Sequence, residues 1–280
     1  MLKVPTYNNY SNERKIALLD NSTVTFMMQL EEAGVQAEYL LLGYDAVFIP
    51  GWVVAEIEDS TYRTKYVETL YKKGYKLYLI EEESYSDLMN GAESHLYEIV
   101  KASVSLISVM VAYLKRYVEK EEKLDMEAYE DWIKEMYAKW PLGSETTTNG
   151  RIKKKNAGEI SLTILSEIFA WFYGDVESIT IYTQDADTYD YQRHAEERLQ
   201  KVFKGKTPVS VTYRSNDSIL YQMYKDEKVS LDEIFELRKD GKRVNYTIVR
   251  EDKSVALVSQ VLKNEEFKEL LKDETVQVVF

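Results

Sequence analysis

The chain of 280 residues contains no cysteine, which excludes disulfide bridges, thiolate zinc sites and cysteine nucleophiles. It has only two histidines, His95 and His194, so a metal site built from several imidazoles is not expected. The opening residues, MLKVPTYNNYSNERK, lack the apolar segment of a signal peptide. The most apolar run, residues 102–114, is shorter than the roughly 20 residues of a membrane span and is expected to form a buried helix. These absences predict a cytoplasmic protein with no membrane partner.

Glycine-rich phosphate loops of the Walker and Rossmann types are also missing, so nucleotide hydrolysis and dinucleotide redox chemistry have little support. Acidic residues outnumber basic ones by 48 to 36, which gives a net charge of -12. This balance argues against a general nucleic-acid coat protein, because such proteins bind phosphates through Lys and Arg. It permits an acidic enzyme with a local basic groove.

Apolar runs alternate with helical segments along much of the chain, and this alternation predicts an α/β fold with a doubly wound, mostly parallel sheet. The predicted strands cover residues 16–19, 44–50, 75–80, 179–183 and 208–213. Between about 84 and 150 the pattern changes to long helices followed by a loop, which indicates a helical insertion. We predict a main domain over 1–240 and a small C-terminal β-α-β extension over 241–280.

Acidic side chains follow the predicted strands at the points where ligands bind in open parallel sheets. Asp20 ends the first strand, and Asp185 and Asp187 follow the strand that ends at 183. Glu56 lies on the helix after the second strand, and Glu159 begins an apolar helix. These five acids are far apart in the chain but converge if the sheet is doubly wound.

Grouped carboxylates repel one another, and two such charges about 4 Å apart cost roughly 4 kcal/mol at an effective dielectric constant of 20. A divalent cation removes this cost, and carboxylate oxygens suit Mg²⁺ or Mn²⁺. Such an ion can activate water and stabilise the leaving oxygen when a phosphodiester is cleaved. This chemistry requires neither cysteine nor histidine.

Each acid also has a structural interpretation that needs no ligand. Asp20 can cap the following helix, and Glu159 can favour the positive end of its own helix. Glu56 can be an exposed helical residue, and Asp185 and Asp187 can belong to a turn. The joint placement of all five at element junctions favours a site.

Four segments of the sequence, in order, resemble the motifs of the PIN-domain nucleases. The segment LLDNSTV resembles the first motif, and IPGWVVAEI resembles the second. The segment NAGEISL is similar to a variant of the third motif, and IYTQDAD resembles the fourth. The resemblance covers residues 15–82 and 155–238, and the stretch between the second and third motifs is longer than in compact members of the family.

This resemblance implies a Mg²⁺- or Mn²⁺-dependent endoribonuclease, acting as a toxin or in RNA processing or defence. It implies that Asp20, Glu56, Glu159 and Asp185 are metal ligands and that Asp187 is an auxiliary acid. It also implies that Ser22 supports the site by hydrogen bonding. All five acids are therefore predicted catalytic residues.

A basic segment just before Glu159 is a candidate for binding the RNA backbone, because phosphates are positioned mainly by Lys and Arg. Its members are Arg151, Lys153, Lys154 and Lys155. The alternative for this segment is a solvated loop.

Two other functions stay open at this stage. The first is a non-catalytic PIN-like binding or regulatory module that uses the helical insertion, and the second is a structure-specific DNA nuclease. The partners that the sequence leaves open, besides an RNA substrate, are an antitoxin or regulatory protein and a second copy of the chain.

Overall fold

A computed structural model gives the structure of the chain and describes residues 2–8, 10–89, 95–124, 126–146, 150, 152–250 and 253–279. Its strands in chain order are β1 (Lys15–Leu19), β2 (Ala46–Pro50), β3 (Leu77–Ile80), β4 (Ser144–Thr146), β5 (Ile152–Lys154), β6 (Ser178–Tyr182), β7 (Val211–Arg214), β8 (Lys242–Val249), β9 (Val255–Leu262) and β10 (Val276–Val279). Its α-helices are α1 (Asn21–Glu32), α2 (Gly51–Ile57), α3 (Thr61–Lys72), α4 (Tyr85–Leu88), α5 (His95–Ser103), α6 (Ser108–Leu114), α7 (Met126–Lys139), α8 (Ala157–Phe172), α9 (Ala186–Val202), α10 (Asn216–Lys225), α11 (Leu231–Leu237) and α12 (Asn264–Lys272).

A five-stranded parallel sheet in the order β3-β2-β1-β6-β7 forms the centre of the molecule. Strand β2 is buried throughout, and β1 is buried after its first residue, because helices cover both faces of a parallel sheet. Helix α8 packs against the same core, where Phe169 stacks on Phe48 with ring centroids 5.2 Å apart. The predicted α/β class with a parallel sheet is confirmed, and the strand order is compatible with a doubly wound fold.

The strand order also fixes where a ligand site can form. The chain builds the sheet outward from β1 to β3 and then returns to the opposite side of β1 with β6 and β7. Crevices in such sheets form beyond the carboxyl ends of the strands, at the place where the order reverses. The carboxyl ends of β1 and β6 are therefore neighbours at this edge.

The insertion after β3 is helical as predicted, but its helices are shorter than expected. Helices α5 and α6 are separated by a turn, and one π-helical turn, Lys115–Glu119, follows α6. The apolar run at 102–114 is divided between the end of α5 and α6, with Met110 and Leu114 fully buried. No helix within the described residues is long and apolar enough to cross a membrane.

The loop and the basic segment predicted near residue 150 instead contain a short antiparallel hairpin. Strand β4 pairs with β5, with Ser144 opposite Lys154 and Thr146 opposite Ile152. Each strand has only three residues, and these alternate too little in polarity to indicate a strand. The hairpin places the lysines on a defined element between α7 and α8.

The predicted β-α-β extension is wrong in its order of elements. Its strands form an antiparallel sheet in the order β10-β8-β9, so two strands precede α12 and one follows it. Strand β9 was not predicted, because apolar residues lie on its exposed face as well, at Val255, Leu257 and Val261. Its sequence therefore lacks the alternation of polar and apolar residues that indicates a strand. The predicted boundary at 240 falls between α11 and β8 and stays a prediction.

A buried arginine joins this sheet to the rest of the chain. The Nε of Arg238 donates to Oδ2 of Asp217 on α10 (3.2 Å), and its guanidinium lies 4.5 Å from the ring centroid of Phe267. Further hydrogen bonds reach Oδ1 of Asn264 (2.6 Å) and the carbonyl oxygen of Leu262 (3.1 Å). Arg238 therefore satisfies acceptors from three elements at once.

We expect Arg238→Met to lower the free energy of unfolding by about 3–5 kcal/mol, because it leaves the carboxylate of Asp217 buried without its cation. Chemical denaturation measures this loss. The matched control is Arg193→Met, which removes an exposed ion pair with Glu197 and should cost less than about 1 kcal/mol. Equal losses in the two variants would contradict the role given to Arg238.

Candidate functional site

Asp20 lies at the carboxyl end of β1 and also begins α1 as its N-cap. Its Oδ1 accepts a hydrogen bond from the backbone N–H of Asn21 (2.7 Å). Its Oδ2 accepts from the hydroxyls of Ser22 (2.5 Å) and Thr183 (2.9 Å). Burial raises the pKa of Asp20 above its ordinary value, although these donors oppose the shift. Asp20 therefore caps α1 and also lies at the carboxyl ends of the strands.

The end of β6 meets Asp20 through the same hydroxyls. The N–H of Gln184 donates to Oγ of Ser22 (3.1 Å), and the N–H of Asp185 donates to Oγ1 of Thr183 (3.0 Å). Asp185 then caps α9. The predicted hydrogen-bonding role of Ser22 thus corresponds to contacts with both strands.

Asp187 follows in the first turn of α9 and is exposed. Partial burial raises the pKa of Asp187, and the charge of Asp185 raises it further. The charge of Lys155 opposes this shift. Asp187 therefore lies at the outer side of the acidic group, with Asp185, Asp190 and Lys155 as its charged neighbours.

Glu56 reaches the site from α2, which begins directly after Pro50 ends β2. Burial, and next the charge of Asp20, raises its pKa to about 7. Lys153 and Arg63 oppose the shift, and Nδ2 of Asn21 donates to Oε2 of Glu56 at 3.4 Å. Glu56 is therefore not the freely exposed helical residue of the alternative interpretation.

Glu159 enters from the first turn of α8 and completes the group. Its pKa is raised to about 8. Burial is the largest cause, and the charges of Asp20, Glu56 and Asp185 also raise it. Its Oε2 is buried and has no hydrogen-bond partner. A buried carboxylate oxygen without a donor is costly, and a bound cation would satisfy it.

Gly158 explains how α8 comes so close to α2. A Cβ at this position would lie 3.3 Å from Oε1 of Glu56 and 3.3 Å from Cγ2 of Val53, which is tighter than most such contacts. Asn156, two residues before Gly158, has a φ of 55° and is the N-cap of α8. Asparagine tolerates this left-handed conformation better than most residues. A side chain at position 158 would therefore push Glu56 or Val53 aside by a few tenths of an ångström where the Glu56 and Glu159 helices meet.

The five predicted acids are therefore brought to one edge of the sheet, and all their ligand atoms are carboxylate oxygens, which suit Mg²⁺ or Mn²⁺. They are not drawn tightly together. Within the described part of the chain, Glu81–Glu83 is the one group of three acids whose ligand oxygens all lie within 4.8 Å of one another. Mutual repulsion accounts for the looser spacing at the strand ends.

Glu82 was missed by the sequence interpretation and has a structural role, although its Oε2 is also buried without a hydrogen-bond partner. It is fully buried, and its Oε1 accepts hydrogen bonds from the N–H of Trp52 (2.9 Å) and from the hydroxyl of Ser161. The Glu82 carboxylate therefore caps α2 and joins it to α8. Its position two residues after β3 resembles that of the other strand-end acids and was the available signal.

Two further residues of the site were not predicted, Asn21 and Thr183. Both lie next to a predicted acid or two residues from one, so their proximity in the sequence was the signal. Thr183 donates to Asp20, and Asn21 contacts Asp20 through its N–H and Glu56 through its side chain. They link acids that belong to different elements.

The basic segment contributes lysines to two sides of the acids. Burial opposes the charged form of Lys153, but Glu56, Glu145 and Glu159 outweigh this, so its pKa is raised. Its Nζ lies 3.1 Å from Oε1 of Glu145. Lys155 is exposed on the Asp187 side. Arg151 lies outside the described residues.

The chain matches no protein-family model, no curated protein and no solved structure. The similarity of its four segments to PIN-domain motifs stays a prediction.

The buried carboxyl of Glu82 leads to a pH-dependent stability. Burial raises its pKa from 4.5 to about 8, so between about pH 5 and 8 the folded protein keeps a proton that the unfolded chain releases. This carboxyl therefore reduces stability as the pH rises through that window. The amide of Glu82→Gln cannot ionise, but its oxygen can still accept the hydrogen bond from the N–H of Trp52.

We expect the unfolding free energy of Glu82→Gln, relative to the unaltered chain, to increase by about 1 kcal/mol or more between pH 5 and pH 8.5. Urea denaturation in EDTA at a series of pH values measures this difference. Glu236→Gln on α11 removes an exposed carboxylate and controls for the change in net charge. A difference that is constant with pH for Glu82→Gln would contradict the assignment.

Proposed function

We propose that the chain is a metal-dependent endoribonuclease of the PIN-like type, with its site at the carboxyl ends of β1 and β6. The observation that carries the proposal is the convergence of five acids from four separate segments around a buried, unpartnered oxygen of Glu159. Structural caps explain Asp20 and Asp185 individually, but they do not explain why Glu56 and Glu159 are half-buried beside Asp20. Retaining such repulsion favours a function for the group.

In this proposal Asp20, Glu56, Glu159 and Asp185 hold one or two Mg²⁺ or Mn²⁺ ions. When bound, such an ion lowers the pKa of water and stabilises the charge that develops on a phosphodiester. The hydroxyls of Ser22 and Thr183 fix the Asp20 carboxylate, so its oxygens keep one orientation. Asp187 adds negative charge at the outer side of the site.

The lysines hold the substrate in this proposal. Lys153 is near Glu56 and Glu159, and Lys155 is near Asp187, so cationic side chains flank the acids on two sides. Each can contact a backbone phosphate on one side of the scissile bond. Arg151, on the same segment, stays a predicted phosphate contact.

We expect purified protein to cleave labelled single-stranded RNA with Mn²⁺ or Mg²⁺ and to lose cleavage in EDTA. Asp20→Asn and Glu159→Gln should reduce the rate by at least about a hundredfold, because each removes a charge that would hold the ion. Asp131→Asn and Glu236→Gln, which change exposed acids outside the site, are the matched controls. Cleavage gels quantify the rates, and full activity in Asp20→Asn would refute the proposal.

Metal binding is measurable without activity. We expect millimolar Mn²⁺ to raise the melting temperature of the unaltered chain, since a ligand that binds only the folded state stabilises it. The increase should disappear in Asp20→Asn and persist in Asp131→Asn. Calorimetry or a thermal shift assay gives the result, and no increase in the unaltered chain would count against a metal site.

The same preparation separates the two rival functions. Cleavage of structured or duplex DNA in preference to RNA would identify a DNA nuclease. A folded protein that neither cleaves any substrate nor responds to metal would be a binding or regulatory module. An antitoxin-like partner and a homodimer are further proposals that copurification and the solution mass test.

A further inference from the structure

A pocket of about 230 Å³ opens beside Glu56, between α2, α7 and the β4–β5 hairpin. Its lining includes Trp52, Glu56, Asp59, Tyr137, Lys153 and Lys154. One end therefore adjoins the acidic group, and the opposite walls come from the insertion. It is smaller than the roughly 300–1,000 Å³ of pockets that enclose drug-sized ligands.

The inner wall of this pocket is aromatic. Trp52 and Tyr137 lie nearly parallel, with an angle of 12° and ring centroids 5.0 Å apart. Trp140 packs edge-on against both rings, and its Nε1 donates to the carbonyl oxygen of Lys155 (2.8 Å). These contacts hold the aromatic wall and the hairpin in one arrangement.

The rim of the pocket is cationic. The Nζ of Lys154 lies 5.4 Å from the ring centroid of Tyr137, and it donates to the carbonyl oxygen of Ala138 (3.2 Å). Lys153 lies on the side that faces Glu56. A ligand that enters here meets a flat apolar surface, two ammonium groups and then the acids.

We propose that this pocket binds the base of one unpaired nucleotide of an RNA chain, and so selects single-stranded substrate next to the scissile phosphate. The inference rests on the proposed function, because it places the base beside the same acids. Bases stack on aromatic side chains in single-strand binding proteins, and lysines hold the adjoining phosphates. Lys154 then leaves the ring of Tyr137 for a phosphate, and the base takes its place.

A base inside a duplex cannot enter such a pocket unless it leaves the stack. Phosphate contacts alone would not select single strands, because a duplex also presents a charged phosphate backbone. The pocket thus supplies a selectivity that the acids and lysines lack. The short hairpin and α7 would therefore be substrate-selecting elements.

The test measures binding rather than cleavage. Full-length protein in EDTA is titrated into fluorescein-labelled oligouridylate of about four nucleotides, which is too short for many alternative binding registers, and fluorescence anisotropy gives the dissociation constant. A matched set of oligonucleotides carries one abasic residue at each position in turn. We expect one position at which the abasic residue weakens binding roughly tenfold, within the range found for loss of one base–aromatic contact.

Tyr137→Leu should weaken binding of the intact oligonucleotide by a similar factor and should abolish the sensitivity to that abasic position. Tyr71→Leu, which removes an exposed tyrosine from α3, should leave both unchanged. If Tyr137→Leu fails to fold, Lys154→Gln replaces it. That variant should weaken intact and abasic chains equally and lower the salt dependence by about one phosphate contact, whereas Lys139→Gln should not.

An abasic scan without a sensitive position, or one that is unchanged in Tyr137→Leu, would overturn the inference. Competition by uridine monophosphate as effective as that of the oligonucleotide would overturn the assignment to a polynucleotide. The failures are distinguishable. Metal-dependent cleavage combined with an abasic scan that has no sensitive position would refute only the proposal for the pocket. A scan with one sensitive position, combined with no cleavage by any preparation, would refute only the nuclease proposal.

Discussion

The site depends on the hydrogen bonds that fix the carboxylate of Asp20 between two parallel strands. Asp20 ends β1, Thr183 follows β6, and Ser22 contacts both Asp20 and the backbone of Gln184. The strand order reverses between β1 and β6, which are neighbours in the sheet. The fold itself therefore creates this junction. The orientation of the central acid is thus set by backbone topology and two hydroxyls, before any ligand is present.

The remaining acids are held by helices that approach this junction at close range. Helix α2 starts without a linker after β2, and the absence of a Cβ at Gly158 lets α8 meet it. Burial, and next the charge of Asp20, disfavours the ionised forms of Glu56 and Glu159, as their raised pKa values of about 7 and 8 indicate. The core of the sheet has to supply the stability that this edge loses, which is the usual balance between a functional site and the scaffold that supports it.

Much of this arrangement was predictable because it depends on local pattern. The apolar runs that became β1 and β6 are followed within three residues by Asp20 and Asp185, and these acids therefore marked the carboxyl edge of the sheet. The hairpin β4–β5 and strand β9 were not predictable in this way. The first is too short to show a period, and the second exposes Val255 and Leu257, so its apolar residues do not alternate between core and solvent.

The pocket shows a different limit of sequence interpretation. Trp52 and Tyr137 are 85 positions apart, and neither belongs to a recognisable pattern with the other. They meet because the insertion folds back so that α7 covers the start of α2, where Glu82 also caps the helix and Tyr129 donates to the carbonyl oxygen of Glu82 (2.9 Å).

The insertion is therefore bound to the same helix that carries Glu56. A shift of α7 would move the aromatic wall and the hairpin lysines together, since Trp140 and Lys154 connect them. It would also move the Glu82 cap of α2, which Tyr129 of α7 contacts. The aromatic wall of the pocket and Glu56 are therefore both fixed to α2, through Trp52 and through the helix that carries the acid. The length of the insertion is then explained by its contacts, since a short loop could not supply both an aromatic wall and a basic hairpin beside the acids.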